Sequence, residues 1–131
     1  MAVRWYSVVV DSRDVRAQAA WWAEVLGWVT SYEADDEMVI GPPHAPAEGD
    51  RVPVGLRGPE LVFVPVPEGK TVKNRLHLDL APGADDDQAA EVQRLLDLGA
   101  TPADVGQGAD ATWVVLRDPE GNEFCVLSPR S

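Results

Sequence analysis

The chain has 131 residues, of which 45% are hydrophobic and 25% are charged. This is the balance of an ordinary soluble globular protein, and the length suits a single domain spanning residues 1–131. Eleven Lys and Arg against 22 Asp and Glu give a net charge of −11, which repels phosphate backbones and anionic membranes. We therefore expect no nucleic-acid or membrane partner. The same charge favours a cationic small molecule as ligand.

Two further absences in the sequence limit the class of protein. No long apolar run occurs at the N-terminus, so we expect a cytoplasmic protein. The only cysteine, Cys125, excludes an internal disulfide and a zinc site built from paired cysteines.

The first half of the chain reads as a strand, a helix and three further strands. The helix begins after the capping residues 11–14 and ends before Gly27, with apolar residues spaced three and four apart. A segment rich in Pro and Gly, residues 41–50, predicts an exposed loop or lid, and residues 52–56 predict a short irregular extension. The predicted strands are Arg4–Val10, Trp28–Tyr32, Glu37–Ile40 and Glu60–Val66, of which the last is an edge strand or ends at Pro65.

The second half repeats this order. Apolar and polar residues alternate from Arg75 to Leu80, which predicts a strand. Asp85, Asp86 and Asp87 then place negative charge at the start of a helix that ends before Gly99. Three more strands are predicted over Ala100–Val105, Thr112–Leu116 and Asn122–Leu127.

The repeat predicts the fold class. Two βαβββ modules, one spanning about residues 1–68 and the other about 72–131, give an α+β protein in which helices cover one face of a curved mixed sheet. The other face is left free to form a concave pocket around a ligand.

The predicted strand that opens the second module carries a polar face. Its apolar residues, Leu76, Leu78 and Leu80, are expected to face a core, whereas Arg75, His77 and Asp79 share the opposite face. That face combines an imidazole with a cation and an acid. An ion pair between neighbours on the strand and a ligand-binding role are both open for these residues.

Four segments resemble the vicinal oxygen chelate superfamily, which contains glyoxalase I, extradiol dioxygenases and bleomycin-resistance proteins. They are Ala20–Trp28 (AWWAEVLGW), Lys73–Leu80 (KNRLHLDL), Leu95–Ala100 (LLDLGA) and Asp118–Asn122 (DPEGN). The resemblance spans nearly the whole chain, and within the superfamily the sequence is most similar to the glyoxalase-like members. It implies the fold of two βαβββ modules described above.

Metal-dependent members of the superfamily hold a divalent cation through four His and Glu ligands from the first and last strands of each module. Carried over, these positions fall on Ser7, on His77, on Cys125 and near Leu61 or Phe63. His77 matches, and Cys125 is a soft substitute for the expected glutamate. The resemblance therefore implies loss of most of the usual metal site, with a divalent metal held by His77 and Cys125 as the alternative.

The candidate site residues follow from these positions and from their chemistry. Catalytic candidates are His77 and Glu123, of which Glu123 shares a strand face with Cys125 and could pair with Arg75. A Cys125–His77 nucleophile pair is also open. The full set of candidate ligand-binding residues is Trp5, Ser7, Phe63, Arg75, His77, Asp79, Trp113, Glu123 and Cys125.

We expect a homodimer that binds a small organic ligand without a cofactor and sequesters a drug or metabolite. The alternative is an enzyme: a lyase, isomerase or dioxygenase that uses His77, Cys125 and Glu123 as an atypical metal set, or metal-free acid/base chemistry at His77. A regulatory domain without a ligand is a third class.

Overall fold

The computed structural model describes residues 2–43 and 59–131. Two compact units divide the chain, Met1–Gly69 and Lys70–Ser131. Most of the predicted Pro-rich loop, including His44, and the predicted extension at 52–56 lie outside the described residues. None of the helices in the described part of the chain is long and apolar enough to cross a membrane.

The first unit is a four-stranded mixed sheet with one helix. Its elements are β1 (Ser7–Ser12), α1 (Val15–Leu26), β2 (Val29–Ala34), β3 (Glu37–Gly41) and β4 (Glu60–Pro65). The strand order is β1-β4-β3-β2, with β1 parallel to β4 and the other pairs antiparallel. The predicted order of a strand, a helix and three strands is confirmed.

Helix α1 begins and ends where its sequence predicts. The Asp14 carboxylate accepts a hydrogen bond from the Ala17 amide at 3.1 Å, which caps the N-terminus. Gly27 ends the helix with φ of 65°, a left-handed conformation that costs glycine little. Between them the helix buries an apolar stripe that includes Ala19, Trp22 and Val25, and this stripe explains why it is stable.

The core of the first unit lies under β3 and β4. Ile40 and Phe63 are completely buried. β4 is an inner strand and ends at Pro65, so the expectation that the strand ends there is confirmed and the edge position is not. The first strand begins at Ser7 and not at Arg4, because residues 2–6 form no strand pairing.

The second unit repeats the topology with shorter strands. Its elements are β5 (Asp79–Leu80), α2 (Gln88–Asp97), β6 (Thr101–Pro102), β7 (Val114–Arg117) and β8 (Glu123–Val126). The strand order is β5-β8-β7-β6, and β5 runs parallel to β8. Asp87 caps α2 through the Ala90 amide, as the acidic run predicts.

The strand predicted over Arg75–Leu80 is wrong for residues 75–78, since only Asp79 and Leu80 form strand. Leu76 is 88% exposed and does not face a core. The Asn74 amide, just before this segment, donates to the Glu123 carboxylate at 3.1 Å, and the Leu78 carbonyl accepts from the Cys125 amide of β8 at 2.9 Å. Alternation shows which residues share a face but does not show where pairing with the neighbouring strand begins.

The strand predicted over Ala100–Val105 is likewise reduced to Thr101–Pro102. Pro102 has no amide hydrogen to extend the ladder. One further bond, from the Ala103 amide to the Val115 carbonyl at 3.0 Å, follows the strand. The α+β fold of two βαβββ modules is nevertheless confirmed, with a four-stranded mixed sheet in each.

Candidate functional site

One row of paired residues crosses the sheet of the second unit. Cys125 of β8 is in register with Asp79 of β5 on one side and with Val115 of β7 on the other. Paired residues point to the same face of a sheet, as do alternate residues of one strand. The same face therefore carries Glu123 and Leu127 beside Cys125.

A cavity of about 310 Å³ lies over this face. Its lining combines apolar and polar residues. The lining residues are Lys73, His77, Asp79, Val105, Trp113, Val115, Glu123, Cys125 and Leu127. All of them belong to the second unit, so the cavity is formed within that unit alone.

His77, Asp79 and Cys125 meet in this cavity. The His77 Nε2 atom lies 3.2 Å from the Asp79 carboxylate, and the side chains are 44% and 51% exposed. Each of the three residues offers one donor atom within 4.8 Å of the other two. The His77 and Asp79 side chains are therefore close enough to form an ion pair when the imidazole is protonated.

Cys125 is a buried thiol that its surroundings keep protonated. Burial raises its pKa, and the adjacent Asp79 carboxylate raises the pKa further because it repels the thiolate and favours the protonated thiol as a hydrogen-bond donor. The positive charge of Lys73 acts in the opposite direction but does not outweigh these effects. A thiol with a raised pKa forms little thiolate at neutral pH, so this arrangement does not activate Cys125 as a nucleophile.

Glu123 is also buried, with 7% of its side chain exposed. Its carboxylate accepts hydrogen bonds from the Lys70 ammonium at 2.8 Å and from the Asn74 amide at 3.1 Å. Burial by itself raises the pKa of Glu123, but these bonds outweigh it and the net pKa is lowered. A carboxylate held ionised by two donors is a weak base, and the pairing with Arg75 that the sequence allows is replaced by Lys70.

The bonds to Glu123 hold segment 70–78 against β8. A further bond, from Asn74 Nδ2 to Asn122 Oδ1 at 3.1 Å, joins the segment to the turn before that strand. The turn itself is organised by Asp118, whose carboxylate accepts from the Asn122 amide at 2.9 Å. His77 therefore reaches the cavity from a segment that side chains hold in place.

The donor atoms of His77, Asp79 and Cys125 fit a divalent cation in number, since three protein ligands and an open position form a common catalytic site. Imidazole and thiolate favour a borderline ion such as Zn²⁺ over a harder ion such as Mn²⁺. Binding would require loss of the thiol proton, which the raised pKa of Cys125 opposes.

The structure distributes the remaining predicted site residues differently. Trp5, Ser7 and Phe63 belong to the first unit: Trp5 is 71% exposed, Ser7 pairs with Glu60 in the sheet, and Phe63 is completely buried. Arg75 is exposed and does not line the described cavity. The assignment of these four residues to a ligand site stays a prediction.

Sequence reasoning missed Lys73 and the apolar wall formed by Val105, Val115 and Leu127. The spacing of two between Trp113 and Val115, and between Cys125 and Leu127, is a signal that could have identified two of them. Lys73 lies in an irregular segment, where no periodicity shows which way a side chain points.

The sequence profile of the glyoxalase-like domain matches residues 7–127. A search of curated proteins gives no match. Among solved structures, the fosfomycin resistance protein FosX from Listeria monocytogenes, as a mutant complexed with Mn(II) and a dihydroxypropylphosphonic acid, aligns with a TM-score of 0.70 at 9% identity, over 99% of this chain and 93% of that one.

Two other solved structures show the same fold. The oxidase ChaP-H2 aligns with a TM-score of 0.65 at 19% identity, over 99% of this chain and 96% of that one. A glyoxalase/bleomycin resistance protein/dioxygenase family enzyme from Burkholderia phytofirmans PsJN aligns with a TM-score of 0.66 at 17% identity, over 95% and 97%. The profile match over nearly the whole chain, together with the repeated βαβββ topology, shows that this protein belongs to the glyoxalase-like domain family.

Proposed function

We propose that the cavity of the second unit binds a small organic molecule. The observation that supports this proposal is the composition of the cavity lining, which combines apolar residues, Trp113 among them, with polar residues that include His77 and Asp79. Binding sites for small molecules are mainly apolar clefts with a few polar groups that orient the ligand. In this proposal the protein sequesters a drug or metabolite.

Trp113 supplies the contact that the proposal depends on most. Its side chain is 41% exposed, although it lines the cavity. An exposed indole in a cavity that Val105 and Leu127 also line offers a flat apolar surface on which a ring can stack. The ligand would cover this surface and remove it from water.

Calorimetric titration with naphthamide, a neutral aromatic probe, tests the proposal. We expect saturable binding to the intact chain and about a tenfold loss of affinity for Trp113→Ala. Tyr32→Ala is the matched control, because Tyr32 is 53% exposed on the first unit and outside the cavity. Equal losses in both variants, or absence of saturable binding, would contradict the proposal.

A metal-dependent enzyme is the second candidate, and the meeting of His77, Asp79 and Cys125 within 4.8 Å favours it. A bound cation would act there as a Lewis acid, as a lyase, isomerase or dioxygenase reaction requires. Glu123, held by Lys70, would not join these three as a ligand without losing that ion pair. The two candidates differ in whether binding of an organic ligand needs the metal.

Elemental analysis and titration with Zn²⁺ and Mn²⁺ test this second candidate. It predicts stoichiometric Zn²⁺ that His77→Ala and Cys125→Ser both abolish, with weaker binding of Mn²⁺. Asp118→Asn is a control, since Asp118 lies in the turn and not in this group. Stoichiometric metal that survives both ligand substitutions would place the ion elsewhere.

A homodimer in the cytoplasm completes the proposal. Light scattering on the purified protein measures the mass directly. A mass of twice 14.2 kDa is expected.

A further inference from the structure

The charged side chains that line the cavity differ in whether the protein supplies them with a partner of opposite charge. The Glu123 carboxylate is neutralised by Lys70 at 2.8 Å. The Asp79 carboxylate lies 3.2 Å from His77 Nε2. Both acids that line the cavity therefore already have a basic group beside them.

Lys73 differs from these acids. Within residues 2–43 and 59–131 its ammonium has no carboxylate within 4.0 Å, and its one hydrogen bond is a long one, 3.4 Å, to the Asn74 carbonyl. An ammonium has three N–H donors, so at least two of those of Lys73 are free for a ligand. Lys73 is one of the residues that line the cavity.

The apolar part of the lining consists of Val105, Trp113, Val115 and Leu127. A ligand that suits both this part and Lys73 would place a ring or hydrocarbon on the apolar residues and present a negatively charged acceptor to Lys73. A cationic group would instead meet an ammonium of like charge.

We infer that the cavity selects an amphipathic organic anion, an aromatic or aliphatic carboxylate or a related oxyanion, with Lys73 as the residue that binds its charged group. This inference rests on the proposed function and specifies its ligand class. The expectation of a cationic ligand follows from the net charge of the whole chain, −11, whereas selection inside a cavity depends on the groups that line it.

Calorimetric titration with three probes of one ring system tests the inference: naphthoate, which is anionic, naphthamide, which is neutral, and naphthylmethylamine, which is cationic at neutral pH. We expect naphthoate to bind about fivefold more tightly than naphthamide, with the amine weakest. Added salt should reduce the preference for naphthoate and leave naphthamide binding unchanged.

Substitution then assigns the preference to one residue. Lys73→Met should bind naphthoate and naphthamide equally, and Lys73→Arg should keep most of the preference. Arg130→Met is the matched control, because it removes one positive charge from the same unit at an exposed position outside the cavity lining. A loss of preference in Arg130→Met as large as in Lys73→Met would show a general charge effect and overturn the assignment.

The outcomes separate this inference from the proposed function. Equal binding of the three probes to the intact chain would overturn the ligand class and leave small-molecule binding supported. Tightest binding of the amine would restore the cationic expectation and overturn the inference. Absence of binding by all three would overturn both.

Discussion

The two units of this chain share one topology but differ in how extensively their strands pair. In the first unit β1 is paired with β4 over six residues, from Ser7↔Glu60 to Ser12↔Pro65. In the second unit the corresponding pairing covers two residues, Asp79↔Cys125 and Leu80↔Val126. The helices differ in the same direction: five residues are buried on α1, and one, Leu95, is buried on α2.

The difference teaches how a repeated module acquires a cavity. A paired strand must turn its side chains alternately to the two faces of the sheet. Residues 70–78 are not part of a strand, and the Lys70 ammonium and the Asn74 backbone amide attach them to the Glu123 carboxylate. Lys73 and His77 both line the cavity. Outside a paired strand, their spacing of four residues does not by itself place them on one side.

The largest expected effect breaks the better-paired unit. Phe63→Ala removes a completely buried ring and should lower the free energy of unfolding by about 3–5 kcal/mol. Denaturant titration measures the loss. Val9→Ala in β1, where Val9 is 57% exposed, is the control and should cost well under half as much. Similar losses from both would contradict the placement of the core under β4.

The next effect tests the attachment of segment 70–78. Lys70→Met leaves Glu123 buried without its ammonium partner and should cost about 1.5–3 kcal/mol of unfolding free energy. Lys73→Met is the matched control, since it removes a lysine of the same segment that has no carboxylate partner among the described residues. Equal costs would show that the ion pair does not hold the segment.

This attachment should also depend on pH. The pKa of Glu123 is lowered in the folded protein, so its stabilising contribution is complete above the ordinary glutamate pKa of about 4.3 and is lost as the pH falls further. Glu123→Gln cannot titrate. The difference in thermal stability between the intact chain and Glu123→Gln should therefore be largest at neutral pH and shrink on acidification below that value, whereas a constant difference would contradict the ion pair.

A smaller effect concerns reactivity and not stability. Asp79→Asn removes a negative charge that raises the pKa of Cys125, the second cause after burial of the thiol. More thiolate should form at neutral pH, and alkylation by iodoacetamide, followed by mass spectrometry, should be faster. Asp36→Asn, an exposed turn residue of the first unit, should leave the rate unchanged. An unchanged rate in Asp79→Asn would show that the Asp79 carboxylate does not influence the reactivity of the Cys125 thiol.

The smallest expected effect sharpens the contrast between pattern and structure. Leu76→Ala should change the unfolding free energy by no more than about 0.5 kcal/mol, because Leu76 is 88% exposed. Leu95→Ala, at a position 2% exposed, should cost about 2–5 kcal/mol. A large loss from Leu76→Ala would show that the segment pairs as a strand in solution.

Local signals in the sequence were enough for most of the fold. Asp14 and Gly27 mark the ends of α1, Asp87 marks the start of α2, and the repeat of one helix and several strands predicts both modules. These features depend on neighbouring residues, which a single sequence shows. The strand predicted over 75–78 failed because alternation does not show where pairing with a distant strand begins, and the pairing with β8 begins at Asp79.

Some of the residues that line the cavity were predicted from the sequence and others were not. His77, Asp79, Trp113, Glu123 and Cys125 do line one cavity. The roles of these residues depend on their partners, and the partners Lys70 and Lys73 come from a segment without periodicity. Their charges decide which groups of the cavity remain free for a ligand.

The link between Asn74 and Asn122 has a consequence for engineering this domain. The turn after β7 carries Asn122, which Asp118 holds and which in turn holds segment 70–78. Shortening or replacing this turn would therefore displace the rim of the cavity as well as the hairpin. A library aimed at new ligand preferences would vary Val105, Trp113 and Leu127 and keep the turn sequence unchanged.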